Sequence, residues 1–128
     1  IYTKEIWIYL IMVSKNRYSF YIGRFQPFHD GHEWCVRQML GEGKRVCIAI
    51  MDIHDDEPEN NPFPTESVRK SIILRFFDEV NVGDIEVIVI PPIESVNYGR
   101  DVGYDLNELI PPDDIKEISA TRIREEKR

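Results

Sequence analysis

The chain has 128 residues and a mass of 15.1 kDa, which is enough for one domain with its own core but too little for two. Hydrophobic residues make up 42% of the chain and charged residues 30%, a composition typical of folded globular proteins. The net charge of -7 argues against a general nucleic-acid binder, yet it allows a local basic pocket for one phosphate ligand. Cys35 and Cys47 are too few for a disulfide scaffold, so we expect a cytoplasmic protein.

The amino-terminal residues carry an apolar run, residues 6–13 (IWIYLIMV). A membrane helix needs about 20 such residues, and a secretory signal needs more basic residues before the run than Lys4. Two interpretations stay open: the run is an extra strand or extension of the domain, or Met12 is the native start and residues 1–11 are a leader. We expect residues 12–128 to form a single domain.

Aromatic and β-branched stretches alternate with helically spaced apolar residues along the rest of the chain. These patterns predict, in order, a strand over residues 18–23, a helix over 32–40, a strand over 45–51, a helix over 65–77 capped by Thr65, and a strand over 85–90. Residues 96–112 give no clear pattern. A short strand over 115–118 is expected next, and then a helix that Ser119 caps.

Helical spacing also predicts which side chains are buried. The helix over 65–77 is expected to bury one apolar face, formed by Val68, Ile72, Ile73, Phe76 and Phe77. Trp34 is expected in the core, and Cys35 as a small buried hydrophobe.

The alternation of strands and helices predicts βαβ units on a parallel sheet, and therefore an α/β fold. Ligands of such sheets bind beyond the carboxyl ends of the strands. The loop over residues 23–32 (GRFQPFHDGH) follows the first strand and opens the first helix, so we expect the chemistry there. Within it, Gly23 permits a close backbone approach, Pro27 stiffens the turn, and Gly31 removes a side chain that would crowd the helix start.

His29 and His32 lie three residues apart where this loop turns into the helix, so both rings can face one point. A helix amino terminus attracts phosphate, and Arg24 adds a fixed positive charge. Such a cluster is suited to stabilising charge in phosphoryl or nucleotidyl transfer. A metal site with His54 as third ligand, or two histidines that only cap the helix, are alternatives, but neither explains the neighbouring Gly, Arg, Gln and Pro.

The loop GRFQPFHDGH resembles the HxGH loop of the nucleotidyltransferase superfamily of adenylyl- and cytidylyltransferases, and is closest to the archaeal-type nicotinamide mononucleotide (NMN) adenylyltransferases. Residues 118–124 (ISATRIR) resemble the superfamily's ISSTxIR element. Residues 61–63 (NPF), followed by Thr65 and Arg69, resemble the NPFT…ER stretch of the NMN enzymes, with one residue inserted and Val68 in place of Glu. The resemblance extends from residue 18 to the carboxyl end.

This resemblance implies a Rossmann-like three-layer αβα sandwich with a parallel sheet. It implies an enzyme that transfers AMP from ATP to a phosphate-bearing small molecule such as NMN and releases pyrophosphate. The implied catalytic residues are His29, His32 and Arg124, and the implied nucleotide-binding residues are Gly23, Arg24, Phe25, Gln26, Pro27, Phe28, Gly31, Ser119, Ala120, Thr121 and Arg122. Mg²⁺ is expected to bind with the triphosphate, and we assign it no protein ligand.

Candidates for acceptor binding lie after the second and third strands and on the second helix: Asp52, Arg69, Tyr98 and Arg100. Asp52 leaves the sheet at the ligand end, and Arg69 matches a family position, although both also fit an ordinary solvated surface. Tyr98 and Arg100 lie in a polar loop with glycines, and such loops bind ligands in this architecture.

The segment between Pro91 and Ile118 is shorter than is usual in the NMN enzymes, so the acceptor pocket is smaller or another acceptor is used. One alternative is a cytidylyltransferase that uses CTP and a small polyol- or amino-alcohol phosphate. Another is a non-catalytic nucleotide-binding sensor domain, against which the intact His29, His32 and Arg124 argue. The expected partners are a nucleoside triphosphate and a small phosphorylated acceptor, without nucleic acid or membrane, and the run over residues 6–13 is a candidate interface for a homo-oligomer.

Overall fold

The structure, a computed structural model, describes residues 4–5, 17–53, 59–100 and 103–116. Several predicted features lie outside these ranges: the apolar run with Met12, His54, and the motif residues Ser119, Ala120, Thr121, Arg122 and Arg124. No helix among the described residues is long and apolar enough to cross a membrane.

Within the described ranges the sheet has three parallel strands in the order β1-β2-β3: β1 (Tyr18–Gly23), β2 (Arg45–Met51) and β3 (Ile85–Ile90). All three strands have the predicted bounds. The central strand β2 is an apolar run whose residues Val46 and Ile50, and those between them, are buried, as the pattern of a parallel strand covered on both faces predicts. The parallel sheet with its helical connections confirms the α/β, Rossmann-like fold.

Four helices are described: α1 (Asp30–Gly41), α2 (Thr65–Arg75), α3 (Phe77–Asn81) and α4 (Asp113–Lys116). The helix α1 begins at Asp30, two residues before the predicted start, because His29 is its N-cap. The N-cap of α2 is Pro64, so the prediction that Thr65 caps this helix is wrong. The Thr65 hydroxyl instead donates a hydrogen bond of 2.9 Å to Asp52 at the end of β2.

The predicted single helix over residues 65–77 is two helices, because the backbone of Phe76 leaves the helical region (φ -118°, ψ 39°). The turn directs the Phe76 ring into the core, where it is fully buried, and leaves Phe77 56% exposed. The expectation that Phe77 is a core residue is therefore wrong, while Phe76, Val68 and Ile72 are buried as predicted.

The strand predicted over residues 115–118 is also wrong over its described part, because Ile115 and Lys116 belong to the helix α4. Two prolines precede this helix, and its first turn carries Asp113 and Asp114, whose charges favour a helix start. The Ile115 N–H closes the turn by donating to the Pro112 carbonyl over 3.0 Å.

The core lies between one face of the sheet and the helices α1 and α2. Its buried members come from β2, β3, α1, α2 and the loop after β1, and Tyr21 of β1 packs against them while partly buried. The largest fully buried side chains are Phe76, Ile48, Ile50, Ile72, Ile85, Val36 and Val46. Because the strands are parallel and joined by helices, their carboxyl ends meet along one edge of the sheet. The loop between β1 and α1 lies at this edge.

Candidate active site

The loop between β1 and α1 folds around two buried aromatic rings, Phe25 (4% exposed) and Phe28 (3% exposed). Phe25 has a positive φ of 54°, which turns its ring back over Gly23, and the Gln26–Pro27 peptide is cis. A Cβ on Gly23 would lie 2.8 Å from the Phe25 ring, so this position requires glycine. The loop is thus held from inside by its own aromatic side chains.

His29 and His32 stack at the start of α1, with ring centroids 3.8 Å apart. The Gly31 N–H donates to His29 Nδ1 over 3.0 Å, and the His29 N–H donates to His32 Nδ1 over 3.1 Å. This reciprocal arrangement is a capping box built from two histidines. Because each Nδ1 accepts a hydrogen bond, each neutral ring carries its hydrogen on Nε2 and can donate it to a ligand.

Burial keeps both imidazoles neutral. It lowers the pKa of His32 to about 3, with the charges of His29 and Arg75 adding to the effect. Burial also lowers the pKa of His29, against the opposing charge of Asp30. The rings of Phe25 and Phe28 lie 5.0 Å and 5.3 Å from that of His32, which explains its poor solvation.

Gly31 leaves the space that the histidine pair needs. A Cβ at this position would lie 2.9 Å from His29 Cε1, so a side chain here would displace the ring. The same point is 3.7 Å from the Ile115 side chain, which shows that α4 lies against the amino-terminal end of α1. The chain therefore returns to the histidine pair shortly before the ISATRIR segment begins.

Two side chains of the loop reach the NPF segment at residues 61–63. Arg24 donates to Asn61 Oδ1 over 3.1 Å. Gln26, which is 2% exposed, donates to the Phe63 carbonyl and accepts from the Phe63 N–H, both over 2.8 Å. The structure thus joins two of the three segments on which the resemblance rests. The side chain of Gln26, predicted to bind nucleotide, fixes the backbone of Phe63.

Two of the four acceptor candidates lie at the end of β2 and on α2. Asp52 follows β2 and accepts hydrogen bonds from Thr65 and from the Ile53 N–H. Arg69 pairs with Glu66 at 3.2 Å, one turn away on α2.

Tyr98 and Arg100 lie on the exposed segment after β3, where the Tyr98 ring packs edge to face against Tyr104. Among the described residues, Arg69 is thus paired with a residue of its own helix, and Tyr98 contacts a residue of its own segment. Neither of these two contacts is with the histidine pair.

Arg75 also lies at the candidate site, although no sequence pattern discussed above predicts it there. It lies at the end of α2 and contacts Asp30 and Glu33 in the first turn of α1. A signal was present, because Arg75 follows Ile72 by three positions and so belongs to the buried side of the helix. A charged residue on such a side needs a partner, and here the partners are at the histidine pair.

Comparison with known proteins finds archaeal proteins named nicotinamide-nucleotide adenylyltransferase. The protein of Thermoplasma acidophilum is 35% identical over 110 residues, which are 86% of this chain and 59% of that protein. The Halobacterium salinarum protein is 36% identical over 72% of this chain and 56% of its own length. The Archaeoglobus fulgidus protein is 29% identical over 76% of this chain and 56% of its own length.

The chain thus spans less than three fifths of the length of these relatives. No protein-family model matches it. No solved structure matches it either.

Proposed function

We propose that this chain, which belongs to the nucleotidyltransferase superfamily and to its archaeal nicotinamide-nucleotide adenylyltransferase type, transfers AMP from ATP to NMN and releases pyrophosphate. The observation that carries the proposal is the stacked pair of neutral imidazoles at the amino-terminal end of α1. Both rings have their Nδ1 engaged by backbone N–H groups, so both Nε2–H groups are donors for phosphate oxygens. The free backbone N–H groups and dipole of a helix end attract the same anions.

The proposed reaction is an in-line displacement at the α-phosphorus of ATP. A phosphate oxygen of the acceptor forms a bond to the α-phosphorus, the bond from the α-phosphorus to the bridging oxygen breaks, and pyrophosphate leaves with the electron pair. His29 and His32 donate hydrogen bonds to the oxygens on which charge grows in the transition state, while Arg24 holds phosphate. No covalent intermediate with the protein is needed.

The carboxyl-terminal motif completes the proposed site. Ser119 follows Ile115 by four positions, and an extended chain spans at most about 14 Å over that length. Since Ile115 packs beside Gly31, the hydroxyls of Ser119 and Thr121 and the charges of Arg122 and Arg124 are proposed to contact the β- and γ-phosphates. Ala120 would contribute its backbone N–H.

Mg²⁺ is proposed to bind with the triphosphate, where it neutralises phosphate charge. The described residues contain no cluster of three or more His, Cys, Asp or Glu side chains able to hold a metal ion. We assign the ion no protein ligand, and no step depends on one.

The experiment measures pyrophosphate release with Mg²⁺, crossing ATP and CTP against NMN, nicotinate mononucleotide, glycerol 3-phosphate, phosphocholine and phosphopantetheine. We expect release with ATP and NMN above the blank without acceptor. Release only with CTP and a polyol or amino-alcohol phosphate would show that the protein is a cytidylyltransferase and would contradict the proposal. Nucleotide binding without release for any pair would favour the sensor domain.

We also propose where the protein acts and what it binds. We place it in the cytoplasm, in agreement with the free thiols of Cys35 and Cys47. We assign it no nucleic-acid partner because of its net charge of -7. Assembly of several copies is expected, and light scattering in solution measures it directly.

A further inference from the structure

Arg75 contacts the histidine-bearing end of α1 at three points. Its Nη1 lies 3.0 Å from Asp30 Oδ1 and 2.9 Å from Glu33 Oε1, and its Nη2 lies 3.4 Å from the Phe28 carbonyl oxygen. The guanidinium also lies over the Phe28 ring, 5.6 Å from its centroid. One side chain from α2 thus binds both acids of the first turn and the loop before it.

These two acids create an electrostatic conflict. Asp30 and Glu33 lie in the first turn of α1, next in sequence to His29 and His32. Carboxylates stabilise the amino-terminal end of an empty helix, but they repel an incoming polyphosphate. A site for the triphosphate at this end therefore needs a cation that cancels them.

The position of Arg75 is suited to this task. Glu33 also contacts Arg37 at 3.5 Å, but Arg37 is shared with Glu79, whereas Arg75 bonds to Asp30 and Glu33 together. The field of Arg75 reaches the rings as well, since after burial its charge is one of the causes that lower the pKa of His29 and His32. The hydrogen bonds of Arg75 are therefore all at the end of α1 that carries the histidine pair.

We infer that Arg75 is a positioning residue that neutralises Asp30 and Glu33, so that the amino-terminal end of α1 accepts the triphosphate. The inference rests on the proposed function and extends it, because it assigns the affinity for the triphosphate partly to a residue outside the motifs. If Arg75 only bridged α1 and α2, removal of the charges of Asp30 and Glu33 would not restore ATP binding to a variant without Arg75. If Arg75 acts by neutralising these two acids, removal of their charges should restore it.

The experiment compares wild type with Arg75→Gln, Arg75→Lys, Lys44→Gln, and Arg75→Gln combined with Asp30→Asn and Glu33→Gln. Steady-state kinetics give KM for ATP and kcat separately, and calorimetry gives Kd for ATP and for tripolyphosphate. Lys44→Gln removes one positive charge at the far end of α1, where Lys44 pairs with Glu42, and is the matched control. Thermal unfolding verifies that each variant is folded.

We expect Arg75→Gln to raise KM and Kd for ATP about tenfold, because like-charge contacts with phosphate are then uncompensated, while kcat changes less. Arg75→Lys should recover part of the loss. The combined variant should bind ATP within about twofold of wild type, since its first turn carries no uncompensated negative charge. Lys44→Gln should match wild type.

Provided that wild type binds ATP, either of two results would overturn the inference. One is that Arg75→Gln binds ATP as tightly as wild type, and the other is that the combined variant binds ATP no more tightly than Arg75→Gln. Failure of the proposed function looks different, because wild type would then release no pyrophosphate with ATP and NMN. Tripolyphosphate binding tests the role of Arg75 independently of the reaction. Weaker tripolyphosphate binding by Arg75→Gln than by wild type would support the inference even if wild type released no pyrophosphate. Wild type that binds neither ATP nor tripolyphosphate would overturn both.

Discussion

His29 uses one ring for two purposes. Its Nδ1 caps α1 by accepting the Gly31 N–H, and this hydrogen bond directs the ring hydrogen to Nε2, the atom available to a phosphate oxygen. His32 repeats the arrangement by accepting the His29 N–H. The fold therefore fixes which nitrogen donates, and burial keeps both rings uncharged.

Substitution of His29 by Ala and by Asn separates these two purposes. His29→Ala loses the cap and should cost about 1 kcal/mol of unfolding free energy, whereas His29→Asn keeps a good N-cap and should cost less. Both variants lose the Nε2–H donor, and we expect kcat for pyrophosphate release to fall roughly 100- to 1,000-fold in each. Urea unfolding and steady-state kinetics give the two quantities. Full activity of His29→Asn would contradict the proposed catalytic role.

The low pKa of His32 predicts how stability depends on pH. In the folded protein this pKa is about 3, against 6.5 in the unfolded chain, so between these values the unfolded chain binds more protons. The contribution to stability is fully present above pH 6.5 and is lost as pH falls towards 3. Urea midpoints at pH about 7.5 and about 4.5 should therefore differ less in His32→Gln than in wild type. Equal differences would show that His32 titrates normally.

At the scale of elements, the candidate site lies where two loops are joined by hydrogen bonds. The loop between β1 and α1 carries the histidines, and the segment before α2 carries Asn61 and Phe63. Gln26 joins them through two hydrogen bonds of 2.8 Å to the backbone of Phe63. Because Gln26 is buried, loss of its amide would leave polar backbone groups without their partner.

Gln26→Met tests this connection with little change of volume. We expect it to lower the unfolding free energy by about 2 kcal/mol, because both Phe63 backbone groups lose their hydrogen bonds. Gln38→Met, on the exposed face of α1, is the control and should change stability by less than about 0.5 kcal/mol. Denaturant unfolding of the two variants measures the difference, and equal effects would contradict the role of Gln26.

At the scale of the whole molecule, the core cluster of the described residues lies between the sheet and its helices. Adjacent phenylalanines illustrate it, because Phe76 is fully buried and Phe77 is 56% exposed. Phe76 packs edge to face against Phe28, with ring centroids 5.8 Å apart, so the core continues into the loop that holds the histidines. Loss of core packing should therefore also disturb the site.

Phe76→Ala should lower the unfolding free energy by about 4 kcal/mol, through lost burial and the cavity left behind. Phe77→Ala should cost less than about 1 kcal/mol, because its ring is already largely in water. Thermal or urea unfolding of the pair gives the comparison directly. Similar losses in both variants would mean that the two rings are equally buried in solution.

The amino-acid sequence by itself determined the three strands of the sheet and predicts where the chemistry lies. Strand β2 is a continuous apolar run, and its bounds follow from hydrophobicity alone because a central parallel strand is buried on both faces. The order of residue types in the loop that carries His29 and His32 also predicts a phosphate-binding turn there.

Only the tertiary structure decided the helix break at Phe76, the helix over Asp113–Lys116, the hydrogen bond of Thr65 to Asp52, and the contacts of Arg75. Helical spacing does not report the backbone turn that separates Phe76 from Phe77. Arg75 and Asp30 lie 45 residues apart in the chain. Local patterns fix which residues avoid water, but which distant charges meet depends on how the helices pack on the sheet, and that is a property of the folded chain.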